Sequence, residues 1–193
     1  MKILTTLFLM LILLASSASC AITNKFGPYS GKVIDAETKE PIEGAAVLVV
    51  FFTEEYGPAG AIIRFADAIE TVTDKNGEFI IPAHRVTAFR PLQGWDKFGY
   101  FTIFKPGYGC YPESKGVSPM FEPNGTLPEK QHVIIELPRL KTIAERRDAG
   151  LPTPSGSIPF EKQIKLIELI NQERLFLGYP GKIEKKSWEL LHK

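Results

Sequence analysis

The stretch Gly44-Ala45-Ala46-Val47-Leu48-Val49-Val50-Phe51-Phe52 decides the fold. Its β-branched and aromatic residues favour strand over helix. Alternate residues of a strand face opposite sides of a sheet. Ala45, Val47, Val49 and Phe51 therefore share one face, and Ala46, Leu48, Val50 and Phe52 share the other. Both faces are apolar. A sandwich strand needs only one apolar face, so something must also cover the second.

Working outward, Ser30 to Asp35, Glu78 to Ile81, Tyr100 to Lys105 and His132 to Leu137 read as further strands. Asp74-Lys75-Asn76-Gly77 carries the Asn-Gly signal of a tight hairpin, with Glu78 to Ile81 as the return strand. Ala61 to Thr73 is ambiguous: its apolar residues suit a short amphipathic helix, while its end resembles strand. Residues 21–29 read as a tether, 83–98 as an irregular excursion and 111–130 as an exposed Pro-rich loop.

The character changes after Pro138. Leu140 to Asp148 is charged and helix-capable, and Gly150 to Ser157 is a linker. Residues 158–177 are the best helix in the chain. Phe160, Ile164, Ile167 and Ile170 recur at helical spacing, and Gly178 and Pro180 close the segment. A turn or two of helix is expected around Trp188. The stripe on 158–177 is the cover available within the chain for the second face of strand 45–52; a partner protein is the rival. Covering about 500 Å² would contribute on the order of 12 kcal/mol before entropic costs.

Met1 and Lys2 precede an apolar run from Ile3 to Leu14 and a small-residue tail, Ala15 to Ser19, ending at Cys20. That pattern is a secretory signal peptide over residues 1–19, and the run is short for a membrane span of about 20 residues. Small residues before Cys20 resemble a bacterial lipobox, although Ser17 stands where Leu is usual. Lipidation of Cys20 and ordinary cleavage near Ala18 or Ala21 are both open. The second would free Cys20 to pair with Cys110. The expected location is the periplasmic side of a bacterial membrane, lipid-anchored or soluble.

Gly31-Lys32-Val33-Ile34-Asp35 followed by Pro41-Ile42-Glu43-Gly44-Ala45-Ala46-Val47 resembles the carboxypeptidase regulatory-like domain. Thr73 to Phe79, Phe101 to Tyr108 with its Pro-Gly-Tyr ending, and His132 to Leu137 follow in the family's order. The resemblance covers residues 28–138. It implies a mainly β, seven-stranded antiparallel transthyretin-like sandwich, here over residues 30–138, after a tether at 20–29 and before a helical extension at 139–193. It also implies a noncatalytic binding or scaffold module. Segments 53–69 and 83–98 are longer than the family's compact pattern, and the extension lies outside it.

The chain has 193 residues, with 23 Lys plus Arg, 22 Asp plus Glu and a formal charge of +1. Removing residues 1–19 takes Lys2 away and leaves the basic and acidic residues balanced, so nothing steers the domain toward nucleic acid. The three histidines, His84, His132 and His192, lack the His-x-x-Glu and His-Glu-x-x-His spacings of a zinc peptidase. His132 and Glu136 would stand about 13 Å apart along a strand, too far to share a metal. No Gly-x-Ser-x-Gly, phosphate loop or Cys-x-x-Cys occurs. The expectation is no catalytic residue, no metal and no cofactor. Trp95, Phe98, Tyr100, Tyr108 and Tyr111 gather in sequence and are the candidate binding residues for an envelope protein or glycan. A local core beneath a long loop is the competing reading. A structural or assembly lipoprotein docking through its C-terminal helix is the alternative function.

Overall fold

The apolar stretch forms β3 (Ala46–Gly57), the central strand of a sheet ordered β4 (Gly60–Val72), β3, β7 (Gly94–Phe104). The computed structural model describes residues 21–57, 60–90 and 93–191, so the expected leader and Cys20 lie outside the described residues. A second sheet places β5 (Glu78–Ile81), β2 (Tyr29–Asp35) and β8 (His132–Leu137) side by side, and β1 (Ala21–Phe26) pairs with β6 (His84–Arg90). Helices α1 (Ile143–Ala149), α2 (Ile164–Phe176) and α3 (Lys185–Leu191) follow. Strand accounts for 42% of the described residues against 18% helix, so the fold is mainly β.

Both faces of β3 are buried, as its alternation requires. Val47, Val49 and Phe51 point into a core shared with Val33, Phe79 and Ile135 of the facing sheet. Ala46, Leu48 and Val50 point the other way, into a second core closed by Ile158, Leu166 and Ile170. The C-terminal helix is thus the cover. Its seam differs from the expected stripe: Leu166, Ile167, Ile170 and Glu173 are buried, while Phe160 and Ile164 are half-buried. The reason is local. Phe160–Lys162 is a 3-10 turn, and α2 begins only at Ile164, which rotates the buried face.

Polar bonds orient this cover. Gln163, at the N-cap of α2, makes no side-chain capping bond. Glu70 of β4 accepts instead from the backbone N–H groups of Lys165 (2.8 Å) and Leu166 (2.7 Å). A carboxylate there satisfies orphan donors and opposes the helix dipole. At the other end, buried Glu173 pairs with Arg146 of α1 and accepts from Gly107 N–H at 3.2 Å. The Gln163 amide donates to Ser155 and Ile158 carbonyls, tying the linker down.

One open reading is settled and four expectations change. Ala61 to Thr73 contains no helix; β4 pairs with β3 along its whole length, with a bulge at Phe51/Phe52. The Asp74–Gly77 turn is not the tip of a paired hairpin, because β4 pairs with β3 and β5 with β2. It is a corner carrying the chain between sheets. Asp74 accepts from Asn76 and Glu78 N–H, and Gly77 adopts φ +75° with a Cβ position only 2.5 Å from the Val33 carbonyl. Only glycine meets both demands. The tether and the excursion contain β1, β6 and the start of β7, so eight strands are described where seven were expected. β2 and β8 run parallel, against the all-antiparallel expectation, because the long 105–131 connection returns the chain to the same end. Within the 111–130 loop, Tyr111, Val117, Thr126 and Leu127 are buried and close the inner core.

Candidate binding site

The five candidate aromatics do not converge. Tyr111 is fully buried, and its hydroxyl donates to the Thr126 carbonyl at 2.9 Å. Burial pushes its phenol up to about 12. Trp95 stands opposite Thr53 and packs edge-on against Phe26 at 6.0 Å, with its indole N–H buried and unpartnered among the described residues. Tyr100 lies on the helix-covered face against Phe52, at 5.8 Å. Burial, then the bond to Asp96, pushes its phenol up to about 12. Tyr108 lies beneath the Arg139 guanidinium, 5.1 Å from its ring centre. Each of these four packs against the protein's own residues.

Phe98 is the exception. It is 38% exposed and borders a cavity of about 250 Å³ with Tyr29, Lys97, Phe121, Leu127 and Glu129. The floor is fixed from several directions. Tyr29 opens β2 and packs edge-on to Phe101 at 5.0 Å. Gly99 of β7 allows this close approach: a Cβ there would stand 3.0 Å from the Tyr29 hydroxyl and 2.7 Å from Val49. Glu129 accepts from Gly27 N–H at 2.8 Å and from the Tyr29 hydroxyl at 3.3 Å. Burial, then the Glu129 charge, raises the Tyr29 phenol well above its ordinary value, so the tyrosine remains a donor. Lys130 N–H donates to the Pro28 carbonyl at 2.9 Å and holds the loop against β2.

The cavity offers aromatic faces at Phe98 and Phe121, an acceptor at Glu129 and a cation at Lys97. Its volume is near the lower end for small-molecule sites, which run from about 300 Å³ upward. One ring or one side chain fits it. Sequence reading found Phe98 and missed Tyr29, Phe121 and Glu129. They come from segments about 30 and 100 residues apart, brought together where β2 faces β7 across the two sheets.

The other titratable groups hold elements together. Asp67 bonds His84 at 2.8 Å and Lys162 at 3.0 Å, joining β4, β6 and the turn before α2. His132 bonds Glu78 at 2.7 Å across β8 and β5. Asp35 accepts from Glu37 and Thr38 N–H and from Arg139, at 2.8, 3.1 and 2.7 Å. Burial opposes its charge, but the Arg139 guanidinium and the two N–H groups hold it below its ordinary value. Cys110 is a buried thiol pushed well up by burial and then by Glu113. No group of three or more His, Cys, Asp or Glu suited to a metal occurs among the described residues. No family model, curated protein or solved structure matches this chain.

Proposed function

We propose that the protein is a noncatalytic binding and scaffold module of the cell envelope, exported by its N-terminal signal and held at a membrane by lipidation of Cys20. Its body is read as a transthyretin-like sandwich of the carboxypeptidase regulatory-like kind, enlarged by the β1–β6 ribbon and the C-terminal helices. The observation carrying the binding reading is the Phe98 cavity, where a stacking face, a carboxylate and an ammonium group surround one opening. Aromatic faces with flanking acceptors and donors suit a sugar ring or one anchoring side chain of an envelope protein. The noncatalytic reading is supported by the polar chemistry itself: His84 and His132 are each tied to a carboxylate in separate sheets, and the Cys110 thiol is held protonated.

The test is crosslinking capture from the native envelope with the full chain. Phe98→Ala and Glu129→Gln are each expected to reduce capture at least ten-fold. Phe98→Ala should leave the melting temperature unchanged. Undiminished capture by both variants overturns the reading.

A second reading has its own observation. Leu175, Phe176, Leu190 and Leu191 are exposed on α2 and α3 although the seam of α2 is spent on the sheet. They would serve docking through the C-terminal helices. Loss of capture in Leu190→Ser/Leu191→Ser, with Phe98→Ala unaffected, would select it.

A further inference from the structure

β7 begins at Gly94, opposite Glu54, whereas β3 and β4 stay paired out to Gly57 and Gly60. Beyond Glu54 the sheet therefore continues as a bare two-stranded arm. The arm extends about 10 Å past the sheet, from three residues at about 3.4 Å each. Tyr56 at 77% and Ile62 at 51% are exposed on it, Glu55 standing opposite Ile62, and Ile63, 58% exposed, stands at its base opposite Glu54. Ile62 and Ile63 are adjacent along one strand, so they face opposite sides of the arm. A partner helix or sheet would cover one side only. A lipid interface surrounds both.

The first described residue lies at the same end. Ala21 of β1 pairs with Arg90 of β6, and Gln93 N–H closes a turn onto the Arg90 carbonyl just before Gly94. The described chain therefore begins, one residue after Cys20, beside the base of the arm. Phe89 of β6 adds a side chain that is 73% exposed there. The charges around the base balance: Arg64, Arg90 and Lys97 against Glu54, Glu55 and Asp96. Glu55 is turned back onto the Gln93 amide at 3.3 Å, and Glu54 bonds Tyr56.

We propose that this end of the sandwich faces a lipid bilayer, with Tyr56, Ile62 and Ile63 seated in its interface. The proposal rests on the reading that the N-terminus delivers the chain to a membrane. The arm's reach of about 10 Å matches the 5–10 Å over which interfacial elements bury apolar side chains. Tyrosine suits that boundary because its ring is apolar and its hydroxyl polar. With no net charge at the base, the contact is apolar rather than a lure for anionic headgroups.

The test places the fluorescent amino acid dansyl-alanine at position 63, and separately at position 80, in the full chain. Ile80 is exposed on the outer side of the β5–β2–β8 sheet and serves as the reference. The chain is mixed with phosphatidylcholine vesicles carrying brominated acyl chains. Position 63 is expected to shift its emission to the blue and to be quenched at least two-fold, equally at about 0.05 and 0.5 M salt, while position 80 stays water-like. A water-like position 63 on vesicle-bound chain overturns the arm's role and leaves the N-terminal anchor standing. A chain that does not bind vesicles overturns both. Neither result touches the Phe98 cavity, which envelope capture tests separately.

Discussion

The two sides of β3 are buried by different means. Inward, Val47, Val49 and Phe51 meet a facing sheet, with Phe51 stacked on Phe26 at 4.4 Å. That interface is almost wholly apolar. Outward, Leu48 and Val50 meet a helix located by polar anchors: Glu70 at one end, Glu173 with Arg146 at the other. Packing alone defines the first interface, because strand register leaves little choice of position. A lone helix on a flat apolar face can slide or rotate, so charged and capping bonds fix its place.

The largest break in this contrast is expected from Phe51→Ala. A fully buried ring in a closed core costs about 3–5 kcal/mol on truncation. Leu166→Ala on the outer side should cost about 2–3 kcal/mol, because a helix at the rim can settle into the space. Urea unfolding of both variants measures the difference; equal losses would make the two interfaces equivalent. Glu70→Ala comes next. Removing the cap should cost about 1 kcal/mol and reduce the helical circular dichroism while leaving the β signal intact. The smallest effect is a pH dependence. Asp35 ionises below its ordinary value in the folded protein, so its contribution is complete above about pH 4 and is lost as pH falls through that lower value. Between about pH 5 and 2 the wild type should therefore lose more stability than Asp35→Asn. Parallel acid limbs in chemical denaturation would refute this.

The sheet skeleton was legible because alternation and β-branching are local. β2, β5 and β8 contain the stretches expected to be strand, and β3 and β7 cover theirs except for Gly44, Ala45 and Lys105. Even the double burial of β3 followed from nine residues. Pairing was less legible. Asp74–Gly77 looks the same in sequence whether it joins paired strands or turns a corner between sheets. Ala61 to Thr73 carries apolar residues that suit either period, and only β3 beside it decides for strand. The candidate aromatics were legible as residues but not as a site. Trp95 faces the inner core and Tyr100 the outer one, because alternation divides neighbours on one strand. Glu129 carries no local signal, since its role comes from Gly27 and Tyr29 about 100 residues away.

The Glu70 bonds bear on the order in which the molecule is assembled. Since α2 borrows the cap for its first turn from β4, its start has no internal nucleus beyond its own weak propensity. A free peptide of residues 158–177 would be largely unwound in water. The tail gains its helical form by templating on a finished sheet, so until then the greasy outside of the β-layer stays bare, and a newly made chain is most prone to clump in that interval.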